Sequence, residues 1–448
     1  MSLDVFQQVF ALSRASGAVN YDKGRQKTLQ EQLQSQLNSA LPLIGADWKL
    51  VWGPVVWKHA PENASTGPDN SWYIAYHPNL QYEDGSVHPT YVIAIAGTPA
   101  KSLYVWAQEN FAVITVSNFK AWVANGIQNP PFPSLHLLPD GAYIATGTVN
   151  TIHLLLTTTS PESAASPGTT LLDFITNVDQ SACPRFISTG HSLGGALSPS
   201  LALALVTAGA IPADRTLTYP TAGPSPGDVG FTELFVQTFP PRKLPGAASY
   251  QGWNLNLVNT LDPVPQAWAI NTSLSPKQNL FDIPGLYGDP ILIGVKLTVW
   301  LGAIWSGSSG VVYKSIPSQY FTGTPPPAAP TDLSAFLKVV SREHVDAYTA
   351  EVGISMPLAE EDQVLRAGLT RKTVHETRYN FPVIIDFEWA LDNPEQAQEI
   401  QAKVQASVEV GGFSSGLGGL KVSGVSGVSG VPGVSGGLGG LSGLGKII

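Results

Sequence analysis

The sequence predicts an α/β fold, with a mostly parallel central sheet and helices on both faces. The first observation is the stretch T-G-H-S-L-G-G-A-L at residues 189–197, which follows a short apolar run and leads into helix-forming residues at 201–208. The second is a pair of further short apolar runs, at residues 216–222 and 255–260. Because short apolar runs that end in turns are typical of buried parallel strands, we expect these runs to be strands of one sheet.

The N-terminal part adds a helix and three strands. Leucines four residues apart at 28–41 form one apolar stripe, which predicts a helix packed across the domain. Residues 48–57, 71–76 and 91–96 have strand character, and the Asn-, Gly- and Pro-rich segments between them supply the turns. A further helix is expected at about 170–179, before the central stretch.

Ser192 lies at the tip of the predicted strand–turn–helix. Gly190 and Gly194 flank it, and a side chain at either position would collide with the neighbouring strand or helix as the chain reverses. Two other G-x-S-x-G matches, at residues 412–416 and 433–437, lie in a low-complexity segment. Only Ser192 has an apolar run before it and a helix start after it, so Ser192 is the candidate nucleophile.

Composition excludes several classes of protein. The chain has 448 residues, of which 43% are hydrophobic and 13% charged, as suits an enzyme with a sizeable core. The net charge of -9 and the scattered Lys and Arg residues argue against nucleic-acid binding. Cys183 is the only cysteine, so neither an intrachain disulfide nor a cysteine-based metal site is expected. The sequence calls for no metal, no organic cofactor and no stable protein partner.

No targeting segment is evident. The N-terminus lacks the basic flank and the continuous apolar core of an ordinary secretion signal. The longest apolar stretch, residues 290–305, is interrupted by Lys296 and by glycines, and is too short and broken for a membrane span. We therefore expect either a cytoplasmic protein or one exported by a non-classical route.

The stretch G-H-S-L-G-G-A-L resembles the nucleophile segment of the class 3 lipases, the fungal-lipase-like branch of the α/β-hydrolases. The resemblance covers roughly residues 71–348 and implies an α/β-hydrolase fold. Residues 223–228, G-P-S-P-G-D, are similar to the family segment T-F-G-x-P-R-x-G-D but lack its arginine. We interpret Asp228 as a turn or cap residue rather than as a catalytic acid.

Asp262 is the candidate catalytic acid. It follows the run at 255–260, and the carboxyl end of a parallel strand is where open α/β sheets place active-site groups. The surrounding residues, L-D-P-V-P, are similar to the family's D-x-V-P motif. A turn aspartate before proline is the alternative interpretation.

The candidate base is a histidine that follows the acid, since α/β-hydrolases have the order Ser, acid, His. His344 and His375 both qualify, and His344 is preferred because H-V-D-A-Y resembles the family's H-x-x-x-Y pattern. His191 is excluded, because a residue beside the nucleophile on a tight turn cannot present its imidazole to Ser192.

Two residues are predicted to stabilise the oxyanion. Leu193, the residue after the nucleophile, would supply its backbone N–H. Thr98 follows from the resemblance, because the run at 91–96 leads into G-T-P where the family has R-G-T or R-G-S. Ala96 stands in place of that arginine, and a simple Gly-Thr-Pro turn is the alternative.

Composition and the resemblance divide the chain into regions. They are an N-terminal helix and first strand (1–70), a hydrolase core (71–350) with an apolar insertion (about 275–327), a C-terminal extension (351–410) and a flexible Gly-, Ser- and Val-rich tail (411–448). The extension is predicted to add an edge strand at 383–389 and a short helix at 394–408.

The insertion at 275–327 has two equally open interpretations. Its aromatic side chains either form the core of a cap subdomain, or line an acyl pocket or touch a lipid surface. The resemblance also implies a lid over the active site near residues 101–147.

Together these residues predict a serine hydrolase that cleaves carboxylic esters through an acyl-enzyme on Ser192. The lipase resemblance and the apolar insertion favour a triacylglycerol lipase or lipid esterase, with an ester or lipid substrate and transient contact with a lipid surface. A short-chain carboxylesterase or a phospholipase A1 would use the same residues. A non-catalytic scaffold is the alternative of a different class, although a scaffold has no physical need for Ser, Asp and His together.

Overall fold

A seven-stranded sheet and a smaller four-stranded sheet form the framework of the protein. The computed structural model describes residues 3–97, 112–289 and 291–354, which all belong to one compact unit, Met1–Glu376. A second unit, Thr377–Ile448, lies outside the described residues.

The strands are β1 (Lys49–Trp57), β2 (Asn70–Gln81), β3 (Val87–Ile95), β4 (Val116–Asn118), β5 (Tyr143–Ala145), β6 (Arg185–His191), β7 (Thr216–Thr221), β8 (Gly227–Asp228), β9 (Asn256–Asn259), β10 (Tyr313–Lys314) and β11 (Ser318–Phe321).

The large sheet is mostly parallel, as predicted. Its strand order is β1-β2-β3-β6-β7-β9-β11, in which β1, β2 and β3 pair antiparallel and every later pairing is parallel. The carboxyl ends of the five parallel strands therefore meet at one edge, where open α/β sheets bind their ligands. The smaller sheet has the order β10-β8-β5-β4, and its strand β8 starts six residues after β7 ends.

Helices cover both faces of the large sheet. Alternate residues of β3 show this, because Ile93 and Ile95 pack into one hydrophobic cluster while Val92 and Ala94 pack into another. The helices are α1 (Val5–Ser16), α2 (Gln26–Ile44), α3 (Phe119–Ala124), α4 (Thr146–Thr157), α5 (Leu171–Thr176), α6 (Leu193–Thr207), α7 (Val229–Thr238), α8 (Ile293–Ser308), α9 (Leu333–Ser341) and α10 (Ala347–Val352). The cluster with Ile93 includes side chains of α4, α5 and α6, and the other includes side chains of α1, α2 and α10.

Most of the predicted elements are present with shifted ends. The helix predicted at 28–41 is α2, and the three N-terminal strands are β1, β2 and β3. The run predicted to be helical from residue 201 starts at Leu193, directly after the candidate nucleophile. The elements predicted at 383–389 and 394–408, and the predicted tail, lie outside the described residues.

The N-terminal region contains two helices, where the sequence indicated one. The additional helix, α1, starts with a capping box in which Asp4 accepts a hydrogen bond from the Gln7 N–H and the Gln7 side chain accepts one from the Asp4 N–H. Its apolar side chains, including Phe6 and Phe10, are buried against the sheet. Its remaining polar side chains, Gln7, Gln8 and Arg14, are only partly buried and form a narrow polar side.

Part of the predicted insertion at 275–327 belongs to the large sheet. Its last part, Ser318–Phe321, is strand β11, which pairs in parallel with β9 and extends the large sheet. The preceding part contains α8, whose Val299 and Ala303 pack with Leu280 in a small separate cluster. Within the described residues, no helix is long and apolar enough to cross a membrane.

Candidate active site

Ser192 lies in the sharp turn between β6 and α6. Its backbone has φ 61° and ψ -125°, a conformation that non-glycine residues rarely adopt. Its N–H donates to the Thr221 carbonyl at 3.0 Å, which ties the turn to the end of the adjacent strand β7. A Cβ at Gly190 would contact the Gly194 carbonyl, and a Cβ at Gly194 would contact the Ile95 carbonyl. The two predicted glycines are therefore needed because backbone lies where their side chains would be.

A chain of hydrogen bonds connects Ser192 to two residues from distant parts of the sequence. His344 Nε2 lies 2.9 Å from Ser192 Oγ, and His344 Nδ1 lies 2.8 Å from Asp262 Oδ2. The three residues are those that the sequence singled out. Asp262 is completely buried, while the His344 side chain is 16% exposed, so part of the imidazole is open to solvent.

Asp262 is held by three hydrogen bonds. Its Oδ1 accepts from the Val264 N–H at 2.9 Å, and its Oδ2 accepts from the hydroxyl of Tyr348 at 2.9 Å as well as contacting His344. Burial, together with the negative charge of Asp262, raises the pKa of Tyr348 well above its usual value, so the phenol stays protonated and donates. Tyr348 is the tyrosine of the H-x-x-x-Y pattern, and its spacing of four residues from His344 was the signal for this contact.

His344 lies in a π-helical turn. Residues 342–346 form this turn between α9 and α10, which is a backbone irregularity found at functional sites in other proteins. Both His344 and Tyr348 contact residues at or just after the end of β9.

His191 packs beside the candidate base without contributing to the hydrogen-bond chain. Its ring centroid lies 4.7 Å from that of His344, and its Nδ1 lies 2.9 Å from Thr221 Oγ1. Burial, the nearby His344 and the positive charge of Arg14 lower the pKa of His191 well below its usual value. The ring is therefore neutral at physiological pH, and it forms an uncharged wall next to His344.

Of the two predicted oxyanion residues, Leu193 lies in the part of the chain that the structure describes. Leu193 is the first residue of α6, so its N–H is among those that have no acceptor within the helix. Thr98 lies outside the described residues. The preceding residue, Gly97, is directly against the nucleophile, because a Cβ there would lie 3.0 Å from the Cβ of Ser192.

The remaining sequence-predicted residue has a structural role. Asp228 is the N-cap of α7, accepting from the Phe231 N–H at 2.8 Å and from the Tyr143 N–H at 2.9 Å, which confirms the interpretation as a cap. In the described part of the chain, no group of His, Cys, Asp or Glu side chains has an arrangement that would hold a metal ion.

Two buried polar residues next to the site were missed. Glu343 precedes His344, and its side chain hydrogen-bonds to that of Asn259, the last residue of β9. Glu343 could have been found from the sequence, because it is a charged residue directly before the candidate base. Nothing in the local sequence marks Asn259.

A comparison with protein families identifies the segment that contains the nucleophile. Residues 111–272 match the family model described as lipase (class 3). This segment is similar to that of the class 3 lipases. The resemblance drawn from the sequence is therefore confirmed, and the matched range includes Ser192 and Asp262 but ends before His344.

Solved structures that are similar to this chain include several lipases. The crystal structure of M37 lipase superposes with a TM-score of 0.59 at 21% sequence identity, covering 83% of this chain and 98% of that one. At this identity the likeness shows the fold alone, and it confirms the predicted α/β-hydrolase fold. Lipases from Rhizomucor miehei and Rhizopus microsporus var. chinensis are more distant. Their TM-scores are 0.32 and 0.33 at 15% and 14% identity, covering 58% and 59% of this chain and 62% and 69% of theirs. No curated protein sequence matches the chain.

Proposed function

We propose that this protein is a serine hydrolase that cleaves water-insoluble carboxylic esters, with triacylglycerols as the favoured substrate class. The observation that carries the proposal is the hydrogen-bond chain from Ser192 Oγ through both ring nitrogens of His344 to Asp262. The match of residues 111–272 to the class 3 lipases supports the lipid part of the proposal.

In the first half of the reaction, Ser192 attacks the carbonyl carbon of the ester. A serine hydroxyl is a weak nucleophile at neutral pH, so His344 Nε2 accepts its proton as the C–O bond forms. Asp262 keeps the Nδ1–H of the imidazole directed at its carboxylate and stabilises the positive charge that the ring acquires. The protonated His344 then donates to the leaving alcohol, and the acyl group stays on Ser192.

In the second half, water hydrolyses the acyl-enzyme. His344 accepts a proton from the water and returns it to Ser192 Oγ as the carboxylic acid leaves. Both tetrahedral intermediates carry a negatively charged oxygen, to which the Leu193 N–H at the start of α6 and Thr98 are assigned as donors. Loss of one such donor typically raises the barrier by about 3 kcal/mol.

A cluster of exposed apolar side chains supports a lipid substrate. Phe132 is 72% exposed, Leu135 is 90% exposed and Leu138 is 58% exposed, all within seven residues of the connection between α3 and β5. Large apolar side chains concentrated on one short surface segment mark interaction sites more often than scattered ones do. We assign these three residues, named here the apolar loop, to transient contact with a lipid surface.

The proposal is tested with a chain-length series of p-nitrophenyl esters and emulsified triolein. Ser192→Ala is expected to abolish turnover. Ser200→Ala is the matched control, because Ser200 is a buried serine of the following helix α6 whose hydroxyl donates to the Ala196 carbonyl. Activity that peaks at long acyl chains supports the lipase, and a short-chain peak supports a carboxylesterase instead.

Two further readouts separate the remaining alternatives. Release of the sn-1 fatty acid from phosphatidylcholine in preference to triolein would favour a phospholipase A1. Absence of turnover by the unmodified protein, without labelling of Ser192 by a fluorophosphonate, would contradict the proposal and favour a non-catalytic scaffold.

A further inference from the structure

A buried carboxylate lies next to the candidate base. The Glu343 side chain is 1% exposed, although a carboxylate is costly to bury unless it is paired and hydrogen-bonded. One oxygen, Oε1, accepts from Arg342 at 2.8 Å (Nε) and 2.7 Å (a terminal guanidinium nitrogen). The other, Oε2, accepts from the amide nitrogen of Asn259 at 2.9 Å. Each carboxylate oxygen therefore has its own donor, and the adjacent guanidinium balances the charge.

Asn259 connects three separate segments around the site. Its Nδ2 donates to the main-chain carbonyl of Glu343 at 2.9 Å in addition to the Glu343 side chain. Its Oδ1 accepts from the N–H groups of Leu261 at 3.1 Å and Gly323 at 2.8 Å. Its own N–H donates to the Tyr348 hydroxyl at 3.0 Å. The residue is completely buried, so these bonds form in a low-dielectric environment where they are strong.

The side chains of Asn259 and Glu343 are closely packed against the backbone at Gly323. A Cβ at Gly323 would contact Glu343 Oε2 and would lie 2.8 Å from Asn259 Nδ2, so the backbone after β11 touches both side chains. Little room is left for either residue to take another rotamer.

Asn259 and Glu343 lie on the two segments that carry the candidate acid and the candidate base. Asn259 ends β9, three residues before Asp262, and Glu343 immediately precedes His344 on the π-helical turn. Asp262 and His344 are 82 residues apart in sequence, and the Nδ1–Oδ2 distance of 2.8 Å requires their two segments to be held together.

We propose that Asn259 and Glu343 are a positioning pair that sets the distance and orientation of His344 relative to Asp262 and Ser192. The inference rests on the proposed function, because it concerns the efficiency of the same hydrolytic site. The pair acts through His344 and Asp262 and does not react with the substrate. Displacement of a reacting group by about 1 Å is enough to cost on the order of 100-fold in rate, so the pair matters for turnover.

The test exchanges the donor and acceptor of the Asn259–Glu343 contact. Asn259→Asp places two buried carboxylates against each other, and Glu343→Gln leaves an amide group that cannot satisfy both Asn259 and Arg342. Each single variant is expected to lower kcat about 10- to 100-fold with KM changed less than about twofold. In the double variant Asn259→Asp/Glu343→Gln, the glutamine amide donates to the new carboxylate while its oxygen accepts from Arg342. We expect its kcat to exceed that of both single variants without full recovery, because the new carboxylate cannot donate to the Glu343 main-chain carbonyl.

A matched control separates positioning from stability. Asn254 is also a buried asparagine, with side-chain bonds to the Thr218 N–H and the Pro240 carbonyl at the opposite end of β9. Asn254→Asp is expected to lower the thermal midpoint while leaving kcat unchanged, where kcat is counted per site titrated with a fluorophosphonate.

If Asn259→Asp does not fold, the variant Glu343→Gln/Arg342→Gln replaces it. Its second glutamine accepts from the first, so kcat is expected to rise above that of Glu343→Gln.

The inference is overturned if the single variants keep kcat per titrated site, or if neither double variant exceeds the single variants. The proposed function fails separately, when the unmodified protein neither hydrolyses esters nor is labelled at Ser192. An active unmodified protein with insensitive Asn259 and Glu343 variants would refute only the positioning pair.

Discussion

The hydroxyl of Ser192 is held in the site by a strained backbone. Residues outside the usual φ and ψ regions cost on the order of 1–3 kcal/mol each and persist only where the surrounding structure fixes them. Here the fixing contacts are the bond from Ser192 N–H to Thr221 and the close approach of backbone at Gly190 and Gly194. Strain at a single residue is therefore maintained by the backbone of its neighbours.

At the same scale, the buried His191 makes the free energy of unfolding depend on pH. The folded protein holds the pKa of His191 well below its usual value, mainly by burial. As the pH falls below about 6.5, the unfolded chain takes up a proton on this residue and the folded chain does not. The free energy of unfolding therefore decreases as the pH falls towards the lower pKa of the folded state.

We expect His191→Gln to reduce this pH dependence. The unmodified protein should lose up to about 1.4 kcal/mol of unfolding free energy per pH unit from His191 below about pH 6.5, and the variant should not. Urea unfolding at pH 7.5, 6.5 and 5.5 measures the difference. His136→Gln, at an exposed histidine, is the control and should follow the unmodified protein. Parallel pH dependences for all three proteins would contradict this account.

At the scale of elements, the segment that carries the apolar loop is anchored at two points although its apolar side chains are exposed. The Ser134 N–H donates to the Val116 carbonyl at 2.7 Å, and the Leu138 N–H donates to the hydroxyl of Tyr143. These bonds connect the loop to β4 and β5 of the smaller sheet. Exposed apolar side chains on an anchored segment present a fixed surface, so binding lipid through them requires little ordering of the chain.

The double variant Phe132→Ser/Leu135→Ser tests the assignment of the apolar loop. Loss of two large apolar side chains from a lipid contact is expected to lower hydrolysis of emulsified triolein by about tenfold or more. Hydrolysis of soluble p-nitrophenyl butyrate should stay unchanged, because Ser192 and His344 are untouched. The control is Leu43→Ser, which removes a 69% exposed leucine on α2. Equal losses on both substrates, or none on triolein, would argue against lipid contact.

At the scale of the whole molecule, residues from distant parts of the chain build one site within a single unit. The nucleophile comes from the β6–α6 turn, the acid from the end of β9 and the base from the turn after α9, all within Met1–Glu376. The N-terminal helices cover one face of the same sheet, so the region before residue 71 contributes to the core that supports the site.

A chain that ends at Glu376 is therefore expected to keep its fold and its ester hydrolysis, with kcat within about twofold of the full chain, because a compact unit with its own core folds independently. Circular dichroism and the p-nitrophenyl ester assay check this. A shorter chain that ends at Asp332 lacks α9, His344 and Tyr348, and is expected to be inactive. Failure of the chain that ends at Glu376 to fold would show that residues beyond 376 are required for stability.

Local patterns account for the parts that could be predicted. The turn at Ser192, the strands before Asp262 and the leucine stripe of α2 are encoded within a few residues, because hydrophobic period and glycine placement depend on near neighbours. The helix α1 was not predicted, and β11 was assigned to an insertion because its pairing partner is distant in sequence.

The sequence by itself determined the order of Ser192, Asp262 and His344, the parallel α/β architecture and the glycines that the nucleophile turn needs. Only the tertiary structure decided that His344 lies in contact with both Ser192 and Asp262, that Tyr348 donates to the acid, and that Asn259 and Glu343 join the two segments. The physical reason is that these contacts join residues 82 or more positions apart. Their distances depend on strand register and on the π-helical turn, and no periodicity along the chain encodes either.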